Sequence, residues 1–285
     1  MSFPNVIFVG AEKSGSTTIH NILCEHEDIF AIQKETEFFS FFNKRKSKNY
    51  HINDIKKYQK LFDGSEKYKI KLDVSTTYLC SPDAIKNIKK YSKNCKIIIC
   101  LRNPIDRAYS RYWMSAKNNH DLVNYSSKKF LKFFFEHNTD IYWSNVRIRG
   151  MYYKNVKSFI KEFGKSNVLI LFYDDLKKNS NLFFKNIYDF LKIKNNILPN
   201  KKIYADSLYA KNKFIHKVFN MYSDKIPNNL FFNYLKNFYK LLRKKLLKKY
   251  PKIGIYEKKK ITEYYIDDIV QLEKLLKTDL SKWKS

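Results

Sequence analysis

The chain has little glycine, proline and cysteine. Its 285 residues include six glycines, six prolines and four cysteines. The cysteines, at positions 24, 80, 95 and 100, form no Cys-x-x-Cys pair, which argues against a zinc site or a disulfide framework. Because Cys100 falls in a predicted core strand, we expect buried free thiols and a reducing compartment.

Long apolar runs are also missing. No run approaches the roughly 20 residues that a transmembrane helix requires. The first apolar run, residues 6–9, is short and leads directly into a polar loop, unlike the apolar part of a signal peptide. These absences favour a cytoplasmic protein.

Acidic residues are outnumbered: 27 Asp and Glu face 56 Lys and Arg, for a formal charge of +29. Such a charge is typical of nucleic-acid-binding proteins. However, lysine far outnumbers arginine, a bias that resembles an AT-rich genome, so we expect much of the lysine on solvated helix faces. Arginine is more informative, because five of the seven lie close together, at Arg102, Arg107, Arg111, Arg147 and Arg149.

A first candidate anion site follows the apolar run 6–9. Residues 10–17 nearly spell a Walker A loop, but Ser16 stands where the lysine belongs and Lys13 lies inside the loop. A small turn that opens a helix presents backbone N–H groups and the positive end of the helix dipole. The sequence therefore predicts a phosphate-binding turn that differs from that of ordinary NTPases. The alternative is a plain turn with one exposed lysine.

A second candidate anion site follows the apolar run 96–101. Arg102 comes directly after this predicted strand, where open α/β sheets bind ligands. Pro104 suits the first turn of a helix, and Ser110 lies two helical turns beyond Arg102. The arginine fork can hold two phosphate oxygens at once. The alternative is a structural ion pair between Arg102 and Asp106. Together, the two sites suit a ligand with two separate anionic ends.

With these motifs, the chain resembles the sulfotransferases that use 3′-phosphoadenosine 5′-phosphosulfate (PAPS), in their carbohydrate or heparan sulfate branch. The similar segments, in order, are the 5′-phosphosulfate loop at 13–18, a Lys-Glu-x-His-Phe-Phe-like box at 34–39, a Glu-x-Ser/Thr-Pro-x-Tyr-like segment at 73–79, the 3′-phosphate motif at 101–112, a strand and acidic turn within 150–191, and a C-terminal signature at 272–283. Six such segments in the right order are specific to this family. Glu37 replaces the box histidine and Val74 replaces a lysine of some animal members, which places the acceptor, not the donor, in question.

The resemblance implies a PAPS co-substrate, no metal, and the hydroxyl or amine of a glycan or glycolipid as acceptor. The implied donor-binding residues are Lys13, Ser14, Gly15, Ser16, Thr17, Thr18, Arg102 and Ser110. Lys13 is also implied to be catalytic, since it would neutralise charge on the leaving 5′-phosphate.

The base for the acceptor proton is predicted to be Glu35. Histidine is the first choice by pKa, but all six histidines lie outside the similar segments. Glu35 lies just past the carboxyl end of the second predicted strand. If the segment is extended, Glu35 and Glu37 point the same way, and the like charge raises one pKa. The alternative is that Glu35 only holds Lys34 or Lys13 in an ion pair.

The predicted fold is α/β, with a central parallel sheet of about five strands flanked by helices and a P-loop-like phosphosulfate-binding loop. We expect a single domain over 1–285, with a nucleotide-binding core at 1–199 and a helical extension without strands at 200–285. Predicted strands lie at 6–9, 29–32, 69–72, 96–101 and 168–172. A basic amphipathic helix at 241–249 is a candidate contact with an anionic membrane or glycan, although a solvated face is favoured.

Two other functions are open at this point. A P-loop kinase would need a lysine at position 16 and a magnesium-binding pair, which we do not identify. A nucleic-acid-binding protein would use the basic C-terminal helices, although we expect no specific nucleic acid.

Overall fold

A parallel five-stranded sheet forms the centre of the structure, a computed structural model that describes residues 3–41, 52, 54–118, 126–136, 146–195, 208–210, 247–249 and 251–285. In spatial order the strands are β2 (Ile29–Ala31), β3 (Ile70–Val74), β1 (Val6–Gly10), β4 (Lys96–Leu101) and β5 (Val168–Phe172). All neighbouring pairs are parallel. The predicted sheet is therefore confirmed.

The sheet is covered on both faces, which explains its continuous apolar strands. In β4, Ile97, Ile99 and Leu101 pack into one hydrophobic cluster, while Ile98 and Cys100 pack into the cluster on the other face. A strand buried on both faces needs apolar side chains at every position, so it reads as a run rather than an alternation. The cysteines are free thiols, and three of the four are buried.

Ten α-helices lie within the described residues. They are α1 (Ser16–Leu23), α2 (Phe38–Phe41), α3 (Ile55–Lys60), α4 (Ala84–Tyr91), α5 (Pro104–Asn118), α6 (Ser127–Glu136), α7 (Tyr153–Phe163), α8 (Tyr173–Lys178), α9 (Ser180–Leu191) and α10 (Ile255–Leu276). Among them, none combines the length and apolar character that crossing a membrane requires.

The expectation that no strand follows residue 199 is wrong at two segments. β6 (Leu208–Ala210) and β7 (Leu247–Lys249) form an antiparallel pair. β7 occupies the end of the segment 241–249, which was expected to be helical. Local periodicity missed the pair because its two strands are far apart in the sequence. α10 confirms the helical character of the C-terminal end, and the rest of the predicted basic helix lies outside the described residues.

α10 also holds the start of α7. Asp268 of α10 is buried, and its carboxylate accepts hydrogen bonds from the backbone N–H groups of Tyr152 at 2.7 Å and Tyr153 at 3.1 Å. These groups belong to the first turn of α7, where backbone donors have no partner within the helix. Asp268 therefore caps α7 from a distant part of the chain, and it fixes the segment that precedes α7.

We expect Asp268→Ala to lower the free energy of unfolding by about 2–4 kcal/mol, because it leaves two buried N–H groups without an acceptor. Urea unfolding followed by circular dichroism measures this change. The matched control is Asp267→Ala, since Asp267 is the exposed neighbour on the same helix and should change stability by less than about 0.5 kcal/mol. Equal effects of the two substitutions would contradict the capping role.

Candidate functional site

The two predicted anion-binding segments are in direct contact. β1 and β4 are parallel neighbours, so the first loop (residues 11–15) and Arg102 emerge at the same edge of the sheet. Arg102 Nη1 donates a hydrogen bond to the carbonyl oxygen of Lys13 at 2.9 Å, and its guanidinium lies 4.7 Å from the centre of the Tyr173 ring. The alternative pair with Asp106 is not among the ion pairs of the described residues.

The shape of the first loop depends on Gly15. Its φ of 84° is left-handed, and a Cβ at this position would lie 2.8 Å from Leu176 Cδ2. Gly15 precedes α1, whose first hydrogen bond runs from Ile19 N–H to the Gly15 carbonyl at 3.0 Å. The N–H groups of Ser16 and Thr17 therefore lie at the N-terminus of the helix, as an anion-binding turn requires.

The remaining residues that are predicted to bind the sulfuryl donor differ in how far they are buried. The side chains of Ser14 and Thr18 are buried, whereas Lys13 is half-buried and its Nζ lies 3.4 Å from Met114 Sδ of α5. Ser110 is half-buried on the same helix. Thus the structure brings Lys13 close to Arg102 and α5, while Thr18 lies deeper, in the first turn of α1.

Lys34 connects the box at 34–39 to the first turn of α1. Its Nζ donates hydrogen bonds to Ser16 Oγ and Thr17 Oγ1, both at 3.0 Å, and it lies 3.7 Å from Glu35 Oε1. Burial lowers the pKa of Lys34, although the neighbouring Glu35 raises it. The sequence indicates Lys34 only as an ion-pair partner of Glu35, because hydroxyl contacts between distant segments leave no local pattern.

Glu35 lies at the same edge of the sheet, next to the end of β3. Its backbone N–H donates to the Val74 carbonyl at 2.9 Å, and its carboxylate accepts from Thr76 N–H at 2.9 Å and Thr76 Oγ1 at 3.2 Å. Histidine would be the usual base, but the two histidines among the described residues form hydrogen bonds with backbone carbonyls. His20 bonds to the carbonyl of Ile32, and His26 bonds to that of Lys194.

The expectation of an extended segment at Glu35 and Glu37 is wrong. Both residues have left-handed backbones, with φ of 59° and 53°. The expected rise in one pKa nevertheless occurs: burial and the neighbouring Glu35 raise the pKa of Glu37 to about 7, and Arg149 partly offsets them. Val74, the other departure from the family pattern, is fully buried in β3 and packs in the hydrophobic cluster that contains Phe8, Ile19 and Leu72.

Asp73 lies beneath this edge and connects the box at 34–39 with the end of β3. Its buried carboxylate accepts hydrogen bonds from Tyr58 Oη at 2.7 Å, Tyr78 Oη at 2.8 Å and Ser75 Oγ at 3.0 Å, and Thr36 Oγ1 lies at 3.3 Å. Burial raises the pKa of Asp73 to about 6, against the opposing effect of these hydroxyls. The cluster ties the segment that carries Glu35 to the end of β3.

Glu12 is the functional candidate that sequence reasoning missed. Its carboxylate lies 2.6 Å from Arg149 Nη1, 3.1 Å from Arg111 Nη1 and 3.9 Å from Arg107 Nη1. Burial opposes ionisation, but the three arginines and Lys13 outweigh it and lower the pKa of Glu12. Three of the five clustered arginines therefore converge on this one carboxylate. In the sequence, the only signal of this pairing was the closeness of these arginines to one another.

Comparison with known proteins decides the family. The sulfotransferase domain matches residues 3–263. The chain belongs to the sulfotransferase family. A sulfotransferase from Alicyclobacillus acidocaldarius, solved by crystallography, has the same fold, with a TM-score of 0.75, 22% identity and coverage of 100% of both chains.

Curated sulfotransferases align over part of their length. Mouse heparan sulfate glucosamine 3-O-sulfotransferase 3B1 is 25% identical over 201 residues, which are 70% of this chain and 49% of the relative. The membrane-associated sulfotransferase kil1 of Dictyostelium discoideum is 28% identical over 140 residues, 48% of this chain and 27% of its own. This sulfotransferase chain thus spans about half the length, or less, of these relatives.

The raised pKa of Glu37 is directly testable. We expect ¹³C NMR of glutamate carboxyl groups to show one group that titrates near pH 7 and that Glu37→Gln removes. Glu35→Gln should lower the pKa of Glu37 but leave it above 4.5, because burial is the larger cause.

The same shift has a consequence for stability. The folded state holds the Glu37 proton more tightly than the unfolded state, so protonation of Glu37 adds to the free energy of unfolding. This stabilisation is fully present below about pH 4.5 and is lost as the pH rises through 7. The wild type should therefore lose more stability than Glu37→Gln over this interval. In the titration experiment, a Glu37 pKa that is the same in Glu35→Gln as in the wild type would contradict the contribution assigned to the Glu35 charge.

Proposed function

We propose that this sulfotransferase transfers the sulfuryl group of PAPS to a hydroxyl or amine of a carbohydrate. The observation that carries the proposal is the 2.9 Å contact between Arg102 and the Lys13 carbonyl, which joins two anion-binding segments at one sheet edge. The family assignment leaves the kinase and nucleic-acid-binding alternatives without support.

The donor residues suit a ligand with two anionic ends. Arg102 Nε is buried and has no hydrogen-bond partner among the described residues, so its N–H can donate to an anionic ligand without losing an existing bond. Arg102 and Ser110 would hold the 3′-phosphate. Lys13 and the amide groups at the start of α1 would hold the 5′-phosphosulfate and stabilise charge on the leaving phosphate.

In the transfer step, the sulfur–oxygen bond to the 5′-phosphate breaks as the acceptor oxygen or nitrogen bonds to sulfur. The electron pair of the broken bond stays on the phosphate, and the acceptor proton passes to the Glu35 carboxylate. Like phosphoryl transfer, this step depends mainly on positioning and electrostatics. The two hydrogen bonds from Thr76 fix the carboxylate, and Lys34 links it to the start of α1.

Two observations support the proposed acceptor, one from the relatives and one from the edge near Glu35. The named activity of the mouse relative is sulfation of heparan sulfate glucosamine, which supports a glycan acceptor. Glu37 takes the position of the family histidine and replaces a cationic or neutral ring with a carboxyl group. We therefore expect an acceptor that differs from heparan sulfate around the reacting hydroxyl. A cytoplasmic location and a membrane or glycan contact near residues 241–249 stay predictions from the sequence.

We expect adenosine 3′,5′-bisphosphate to raise the melting temperature of the protein, and ATP to do so much less, because ATP lacks the 3′-phosphate. Arg102→Ala should weaken bisphosphate binding by about 2–4 kcal/mol, measured by calorimetry. Lys161→Ala, at an exposed lysine of α7, is the matched control and should bind normally. Equal stabilisation by ATP and the bisphosphate would overturn the proposed donor.

Glu35→Gln should reduce kcat by about 100-fold or more and leave bisphosphate affinity nearly unchanged, since it keeps the shape but removes the base. Turnover is measured with labelled PAPS and a panel of desulfated glycans. Glu37→Gln is the matched comparison and should act mainly on the KM for the acceptor.

A third variant separates the base from the ion-pair alternative. If Glu35 only holds Lys34, then Lys34→Met should reproduce the Glu35→Gln effect on kcat and its pH profile. A fully active Glu35→Gln together with an inactive Glu37→Gln would reverse the two roles.

A further inference from the structure

The first loop is held to α5 through two consecutive residues. The Lys13 carbonyl accepts from Arg102, which lies two residues before α5, and the Glu12 carboxylate contacts Arg107 and Arg111 within that helix. α5 follows closely on Arg102 and itself carries Ser110, the other predicted 3′-phosphate ligand. Arg102 and α5 therefore hold the loop that carries Lys13 at two consecutive residues.

Arg149 holds the same carboxylate from another direction. It belongs to the 3₁₀ turn Ile148–Gly150, and its Nη1 lies 2.6 Å from Glu12 Oε2. α10 packs closely on this turn, because Tyr265 Oη donates a hydrogen bond to the Arg147 carbonyl at 2.9 Å and a Cβ on Gly150 would lie 2.5 Å from the same oxygen. Glu12 is thus the point at which the first loop, α5 and the segment before α7 meet.

The charge on Glu12 is required by its surroundings. Its side chain is 11% exposed, and it faces three guanidinium groups, of which Arg107 is fully buried. Arg107 Nε and Nη1 have no hydrogen-bond partner among the described residues, so the Glu12 carboxylate at 3.9 Å is the counter-charge of this guanidinium. Without the carboxylate, the three cations would face one another with no ion-pair partner among the described residues, which is costly in the interior. The loop would then move away from α5, and Lys13 would move with it.

We propose that Glu12 is a positioning residue, whose carboxylate sets Lys13 at a fixed distance from Arg102 and Ser110 and thereby fixes the span between the two anionic ends of the donor. This inference rests on the proposed function, because it takes Lys13 to act on the leaving phosphate. A small change in that span should lower activity strongly, since a displacement of about 1 Å can reduce turnover by roughly 100-fold.

The first test needs no nucleotide. We expect Glu12→Gln to accelerate amide hydrogen exchange by about 10-fold or more in peptides covering 11–18, with no comparable change in β4. Glu12→Asp, which keeps the charge, should restore part of the protection. The matched control is Glu273→Gln, since Glu273 has a similar 2.7 Å pair with Lys284 at the end of α10.

If Glu12→Gln does not fold, Arg111→Met provides the same test, because Arg111 is 28% exposed and its loss removes one partner only. Unchanged exchange at 11–18 in the folded variant, or an equal increase throughout the core, would overturn the positioning role.

The second test asks whether Glu12 acts through Lys13. Turnover is measured as formation of the 3′,5′-bisphosphate from PAPS, well below the melting temperature. Glu12→Gln should reduce kcat by about 10- to 100-fold in the wild type but have little effect in Lys13→Ala. Equal reductions in both backgrounds would overturn the proposal, as a purely structural role predicts. A wild type that fails to bind the bisphosphate would instead overturn the proposed function.

Discussion

The position of β1 in the middle of the sheet is the constraint on which the site depends. Because β1 lies between β3 and β4 and all three strands are parallel, their carboxyl ends meet at one edge. The first loop, Glu35 beside the end of β3, and Arg102 after β4 are therefore neighbours, although about ninety residues separate the first from the last. Open α/β sheets bind ligands beyond the carboxyl ends of their strands, and this geometry accounts for the convergence.

Charge balance is the second organising feature of this edge. The chain is strongly basic, yet its most buried arginines are not surplus charges awaiting an anion. Arg107, Arg111 and Arg149 share the carboxylate of Glu12, whereas Arg102 donates to the Lys13 carbonyl and packs against the Tyr173 ring. The structure thus separates three arginines that are paired with one carboxylate from Arg102, which contacts the backbone of the same loop.

The acceptor side differs in character from the donor side. Glu35 is fixed by Thr76 and lies beside Glu37, whose pKa is raised to about 7, while Asp73 beneath them anchors the segment through hydroxyl groups. Two of these carboxyl groups have pKa values displaced toward neutrality by burial. Of the two departures from the family pattern, Glu37 lies beside Glu35 and Val74 is buried in β3.

The sequence by itself determined the parallel sheet, the positions of the two candidate anion-binding segments and the family, because buried strands are apolar runs and the motifs are local. It placed the strands within about two residues and identified Glu35 and Glu37 as an interacting pair. Only the tertiary structure decided that Glu12 collects three arginines, that Lys34 reaches the start of α1, that the backbone at Glu35 is left-handed, and that β6 pairs with β7. Each of these depends on contacts between distant segments, and such contacts leave no periodicity or spacing in the chain.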